Sequence, residues 1–216
     1  MVAVDCNGAD LGPAEVAAGA AIAAAQGARA ILFGPARELG RAPERVEIID
    51  APVSIAKSPD PVGAVRNTPQ ASIVQAAKAV AEGRAQALVC AGGTGAALAA
   101  GTFNIKRAPG IYRPALALPL PVPHRPVTLL DVGASVEARR EHLVQFAFMG
   151  AALVSTVLGV VPHGRFTRAG FAQAIMRAER GAREDIVGQM LRALGEAGAL
   201  RQAPVSAPGD SLRETG

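Results

Sequence analysis

The chain contains no tryptophan, one tyrosine and six phenylalanines among 216 residues. So sparse an aromatic set gives no platform on which nucleobases could stack, which argues against nucleic acid as a partner. Lysine is scarce too: Lys57, Lys78 and Lys106 are three of 22 basic residues, so the net charge of +4 rests on arginine. The arginines are scattered, and charge alone supports no more than attraction to an anionic partner such as an acidic protein or a phosphate ligand. Cys6 and Cys90 are too few for a disulfide framework; both follow apolar runs and read as small hydrophobes in a reducing cytoplasm. The three histidines stand apart from any cluster with metal-ligand spacing, no Ser-His-Asp order is evident, and no cofactor is implied. The N-terminal MVAVD has no basic leader and predicts no export. Two uncharged windows, 85–103 and 143–162, have the length of a membrane span, roughly 20 residues. A glycine-rich break in the first, and Gln145, Gly150, Ser155, Thr156 and Gly159 in the second, favour buried core.

Half of the composition is hydrophobic, enough for a sizeable core in one α/β domain over residues 1–200, with a frayed polar tail over 201–216. Short β-branched runs alternate with alanine-rich helical patterns, the signature of crossover units around a mostly parallel sheet. The pattern predicts strands over 2–4, 30–33, 46–49, 87–90, 115–118, 128–130 and 158–161. It predicts helices over 13–26, 70–82, 95–104, 137–156 and 167–196. The last places Phe171, Ile175, Ala178, Ala182, Ile186, Met190 and Leu194 on one face. Residues 51–66 carry three prolines and no period, so they read as a long loop of the kind that carries function.

In an open parallel sheet, ligands gather where strands end and loops turn into helices. Three motifs fall at such ends: VDCNGADLGP (4–13), VCAGGTGAAL (89–98) and LLDVGASVE (129–137). Glycines let backbone approach an anion closely, and the free N–H groups of a helix start point at it. Gly92, Gly93, Thr94 and Gly95 therefore read as an anion cradle or as a tight structural turn. They match neither a P-loop nor a dinucleotide fingerprint. Asp5, Gly8, Asp10 and Ser135 would stand on the same rim, the aspartates alternatively as helix caps.

The motifs occur in an order of their own. VDCNGADLGP is followed by VRNTPQASIVQAAKAVAEGRAQALVCAGGTGAALAAG, GIYRPALALPLP, LLDVGASVEARREHLVQFAFMG and HGRFTRAGFAQAIMRAERGAREDIVGQML. This series, from Met1 to Leu194, resembles the acyl-acyl-carrier-protein:phosphate acyltransferase family. The resemblance implies a three-layer α/β/α fold similar to that of phosphotransacetylases and isopropylmalate dehydrogenases. It also implies a homodimer, cytoplasmic or in peripheral contact with the membrane, that moves a fatty acyl group from acyl carrier protein to inorganic phosphate. The product would be an acyl phosphate for phospholipid synthesis.

The chain departs from the family pattern at Asn7, Ala9, Gly93 and Ser135, where methionine, glycine, asparagine and asparagine are usual. It also passes from STVLG to VVPHGRF without the family's middle section, where a lysine and an aspartate tied to the chemistry would lie. An alternative is therefore a catalytically silent relative that binds acyl carrier protein, phosphate or a full-length partner. Among the residues present, Gly92–Gly95 and the Thr94 hydroxyl would hold phosphate. Arg66, or more weakly Lys57, would add charge. His163, after an apolar run and before glycine, would protonate the leaving thiolate or steady the oxyanion, with Asp131 beside it. His124 and His142 read as structural.

Overall fold

The computed structural model describes residues 1–120, 127–133, 135, 137–156 and 167–201. Four buried or half-buried strands, β1 (Val2–Asp5), β2 (Ala30–Gly34), β3 (Val46–Asp50) and β4 (Ala87–Cys90), form a wholly parallel sheet in the order β3-β2-β1-β4. Their apolar runs face helices on both sides, as parallel strands with crossover connections must. Side chains alternate along β1: Val2, Val4 and Cys6 join one core with Phe171 and Ile175, while Ala3 joins another with Ile31, Phe33 and Ala76. Helices α1 (Pro13–Ala25) and, later in the chain, α7 (Arg168–Arg183) cover the first face; α4 (Ser72–Ala81) covers the second. The three layers expected from sequence are present.

Helix α1 opens on Pro13, whose missing N–H costs nothing in the first turn. Its small residues let α7 come close: a Cβ on Gly19 would stand 2.6 Å from Phe171 Cβ and 2.7 Å from the Arg168 carbonyl oxygen. The same junction is pinned by Glu15, whose Oε1 accepts from Arg168 N–H at 2.6 Å and whose Oε2 accepts from the guanidinium at 2.8 Å. Between β2 and β3 lies one turn, α2 (Ala36–Leu39); Asp50 accepts from Ala36 N–H.

Three sequence expectations need correction. The 51–66 stretch is not loop throughout: α3 spans Pro61–Asn67, with Pro61 in its first turn and Asp60 accepting from Gly63 N–H. The predicted 167–196 helix is two helices, α7 and α8 (Ile186–Glu196). Asp185 between them is left-handed at φ 50, and its carboxylate accepts from Gly188 N–H. The third concerns the sheet. Strands β5 (Ala117–Leu120) and β6 (Val127–Leu130) pair antiparallel as a separate two-stranded sheet and do not extend the parallel one. Strand β6 packs on α6 (Arg140–Thr156). Helix α5 (Thr94–Ala100) follows the glycine turn and runs into a π-helical turn over Gly101–Ile105. The predicted strand at 158–161 and the tail at 202–216 lie outside the described residues.

Candidate functional site

Strand order reverses at β1, because β2 and β3 extend the sheet to one side and β4 to the other. The loops leaving the carboxyl ends of β1 and β4 diverge there, at the position where open α/β sheets bind ligands. Beneath these loops Asp5 is 3 % exposed, so it lies under the rim and not on it. Its Oδ1 accepts from Ser72 Oγ–H at 2.6 Å and from Asn7 N–H at 3.3 Å. Asn7 Nδ2 donates to Ser72 Oγ at 2.9 Å and to the Ala51 carbonyl at 3.0 Å. One buried network thus ties the ends of β1 and β3 to the start of α4. Burial raises the Asp5 pKa to about 7 against the lowering effect of the Ser72 and Asn7 hydrogen bonds. The neighbouring thiols are poor nucleophiles: burial, then the Asp5 charge, raises Cys6 far up and Cys90 to about 11.

The glycine turn is explained first by packing. A Cβ on Gly93 would stand 2.2 Å from the Ala56 carbonyl oxygen, and one on Gly92 2.9 Å from both Ala56 Cβ and the Asn7 carbonyl oxygen. Gly8, at φ 102, would meet Ala56 at 2.5 Å and Gly92 Cα at 2.9 Å. Three loops therefore meet backbone to backbone, which only residues without side chains allow. Thr94 and Gly95 lie just outside that contact, exposed, at the first turn of α5. No side chain caps this turn, which leaves its early N–H groups without intrahelical acceptors.

Beside the contact is a cleft of about 500 Å³ lined by Gly8, Ala9, Ser54, Ile55, Lys57 and Ser58. Lys57 is exposed there and makes no ion pair among the described residues. Its ammonium and the Ser54 hydroxyl are polar groups that the cleft offers an anion, whereas the Ser58 hydroxyl already donates to the Asp60 carbonyl. Lys57 was the weaker of two basic candidates in the sequence, and nothing local marked it; the cleft does. Arg66 is exposed in the last turn of α3, with its guanidinium 4.5 Å from the centre of the Phe103 ring. Asp10 is exposed on the β1 loop.

Asp131 and Ser135 belong to the turn after β6, on the second sheet. Asp131 is left-handed at φ 63, and its buried Oδ1, like the buried Oγ of Ser135, has no hydrogen-bond partner among the described residues. His163 lies outside the described residues. Asp5, Gly8 and Gly92–Gly95 are thus brought together, with Thr94 at their edge, while Asp131 and Ser135 form a separate polar turn. Ser72, which holds the loops together with Asn7, carries no signal in the sequence beyond its place in it; Asn7 stands out there only as a departure from the family pattern.

Residues 1–173 match the family described as fatty acid synthesis protein. The phosphate acyltransferase of Gloeobacter violaceus is 45% identical over 168 residues, 74% of this chain and 49% of that protein. Those of Geobacillus thermodenitrificans and Anoxybacillus flavithermus are 43% and 44% identical over 165 residues, 74% of this chain and 50% of each relative. The chain spans about half the length of the curated relatives it matches. The matched stretch holds all four parallel strands and the loops that meet at their ends, and by it the chain belongs to the fatty acid synthesis protein family.

Proposed function

We propose that this chain serves the transfer of a fatty acyl group from acyl carrier protein to inorganic phosphate, yielding acyl phosphate for phospholipid synthesis. The observation that carries the reading is the meeting of the β1, β3 and β4 loops at the strand-order reversal, beside a cleft that presents Lys57 and Ser54. The names of the relatives support it. Phosphate would sit between that cleft and the first turn of α5, held by Lys57, Thr94 Oγ and backbone N–H groups, with Arg66 adding charge from the next helix. A phosphate oxygen attacks the thioester carbonyl. The new C–O bond forms, the C–S bond breaks, and the carrier's thiolate leaves with the electron pair and takes up a proton. Donors must be aimed at the oxyanion formed between these events. His163 would supply the proton. The raised thiol pKa values of Cys6 and Cys90 agree with direct attack and give no support to an acyl-cysteine intermediate. We place the reaction in the cytoplasm, on a homodimer in peripheral contact with the membrane.

The test is incubation of the purified chain with long-chain acyl carrier protein and phosphate, with hydroxylamine added to trap acyl phosphate. Phosphate-dependent hydroxamate is expected. Its absence, with phosphate still bound, would leave a binding protein for phosphate or acyl carrier protein in place of an enzyme.

A further inference from the structure

The two walls of the Lys57 cleft come from different loops: Gly8 and Ala9 follow β1, whereas Ser54, Ile55 and Lys57 follow β3. The approach of Gly8 to Ala56 and Gly92 limits how near these loops can come, but close packing carries no direction and does not align them. Alignment comes from Asn7, next to Gly8 and 7 % exposed. Its Nδ2 donates to the Ala51 carbonyl at 3.0 Å, where the β3 loop begins, and to Ser72 Oγ at 2.9 Å. Ser72 carries the link onward. Its N–H donates to the Val53 carbonyl at 3.0 Å, beside Ser54, and its hydroxyl donates to Asp5 Oδ1 at 2.6 Å. Ser58 N–H donates to the Ile55 carbonyl at 3.1 Å, so the turn that carries Lys57 moves with Ile55. The β4 loop is keyed to the same stretch of backbone, since Ala91 N–H donates to the Asp5 carbonyl at 3.1 Å and Gly92 lies against the Asn7 carbonyl.

Burying a carboxamide costs free energy unless its polar atoms are paired, and an apolar side chain of the same size would fill this place without that cost. What the amide adds is direction: both donors are spent on groups that hold the opposite wall. We infer that Asn7 is a positioning residue of the cleft: its carboxamide, working through Ser72, fixes Gly8 relative to Ser54 and so sets where the Lys57 ammonium meets an anion. Charged groups bind a small ion well only when the segments that carry them are themselves locked by hydrogen bonds. Lys57 stands on an exposed turn and needs that support more than a side chain on a buried strand would. Asn7, buried beneath the loop, acts on the anion only through the walls. The inference rests on the reading of this cleft as the seat of phosphate and adds the residue that shapes it.

The test compares the whole chain with Asn7→Leu, which keeps the shape and removes both donors, with Lys57→Ala, and with the double variant N7L/K57A. Amide hydrogen exchange is followed without ligand, and inorganic phosphate is then titrated by calorimetry. In Asn7→Leu the hydrogen-bonded amides of Gly12, Ser58 and Ser72, on the two walls and their support, should exchange roughly ten-fold faster while those of α1 and α7 keep their rates. Phosphate should bind roughly ten-fold more weakly, as expected for the loss of an aligned hydrogen-bonded support. In the double variant phosphate should lose less than about two-fold beyond Lys57→Ala alone, because Asn7 acts through Lys57; a residue of the fold alone would add its full effect. Should Asn7→Leu fail to fold, Ser72→Ala cuts the same chain of hydrogen bonds one link further on and takes its place. Independent losses in the double variant, or exchange that rises uniformly while phosphate binds as before, would overturn the assignment. If the parent chain binds no phosphate, the reading of the cleft falls by itself. The exchange data then decide the alignment of the walls: faster exchange confined to the three amides upholds it, and unchanged rates overturn it.

Discussion

Asp5 carries a testable electrostatic signature. Its carboxyl keeps its proton to about pH 7 in the folded chain, whereas the unfolded chain releases it near 3.8. Stability from this group is therefore fully present below 3.8 and is lost as pH rises through about 7, where the unfolded state is ionised and the folded state must pay to follow. A displacement of that size corresponds to roughly 4 kcal/mol across the window. Asp5→Asn removes the titration, so its stability relative to the parent should rise between pH 4 and pH 8 in urea unfolding. Equal pH slopes for the two proteins would show that Asp5 ionises normally. Asp5 could be placed at a strand end from sequence, but its burial could not: its partner Ser72 is far along the chain and enters only when α4 crosses behind β1. Gly93 shows the same limit. The run of glycines announces a need for bare backbone, while the reason, the carbonyl of Ala56, lies in another loop.

Elements were legible where local pattern and tertiary packing agree. The four parallel strands and α1 follow from apolar runs punctuated by glycine and proline. Helix α3 was hidden among prolines, although Asp60 before Pro61 is a helix-start signal. The break between α7 and α8 was invisible because apolar spacing runs on through Asp185 to Leu194, and only the left-handed backbone at Asp185 interrupts it. Gly19 offers a test at this scale. In an exposed helix, glycine to alanine stabilises by about 1 kcal/mol. At the α1–α7 crossing the new methyl would press on Phe171 Cβ and the Arg168 carbonyl, so Gly19→Ala should instead destabilise by roughly 1–3 kcal/mol. The sign alone decides, and a melting curve reads it; a stabilised variant would mean the two helices are not in close contact.

For the molecule as a whole, the sheet order brings the β1, β3 and β4 loops to one end, and the second sheet sets Asp131 and Ser135 in a different turn. Sequence alone had all three motifs on one sheet, because strand propensity does not say which strand pairs with which. The functional consequence is that inorganic phosphate belongs at the parallel sheet's end. Titration of the isotope-labelled chain with phosphate, followed by amide chemical shifts, tests this most directly. Saturable shifts at Gly8, Ala9, Lys57, Ser58 and Thr94, lost in Lys57→Ala with the melting temperature unchanged, are the expected result. Shifts confined to Arg107, Arg113 and Arg201, or none that saturate, would contradict it.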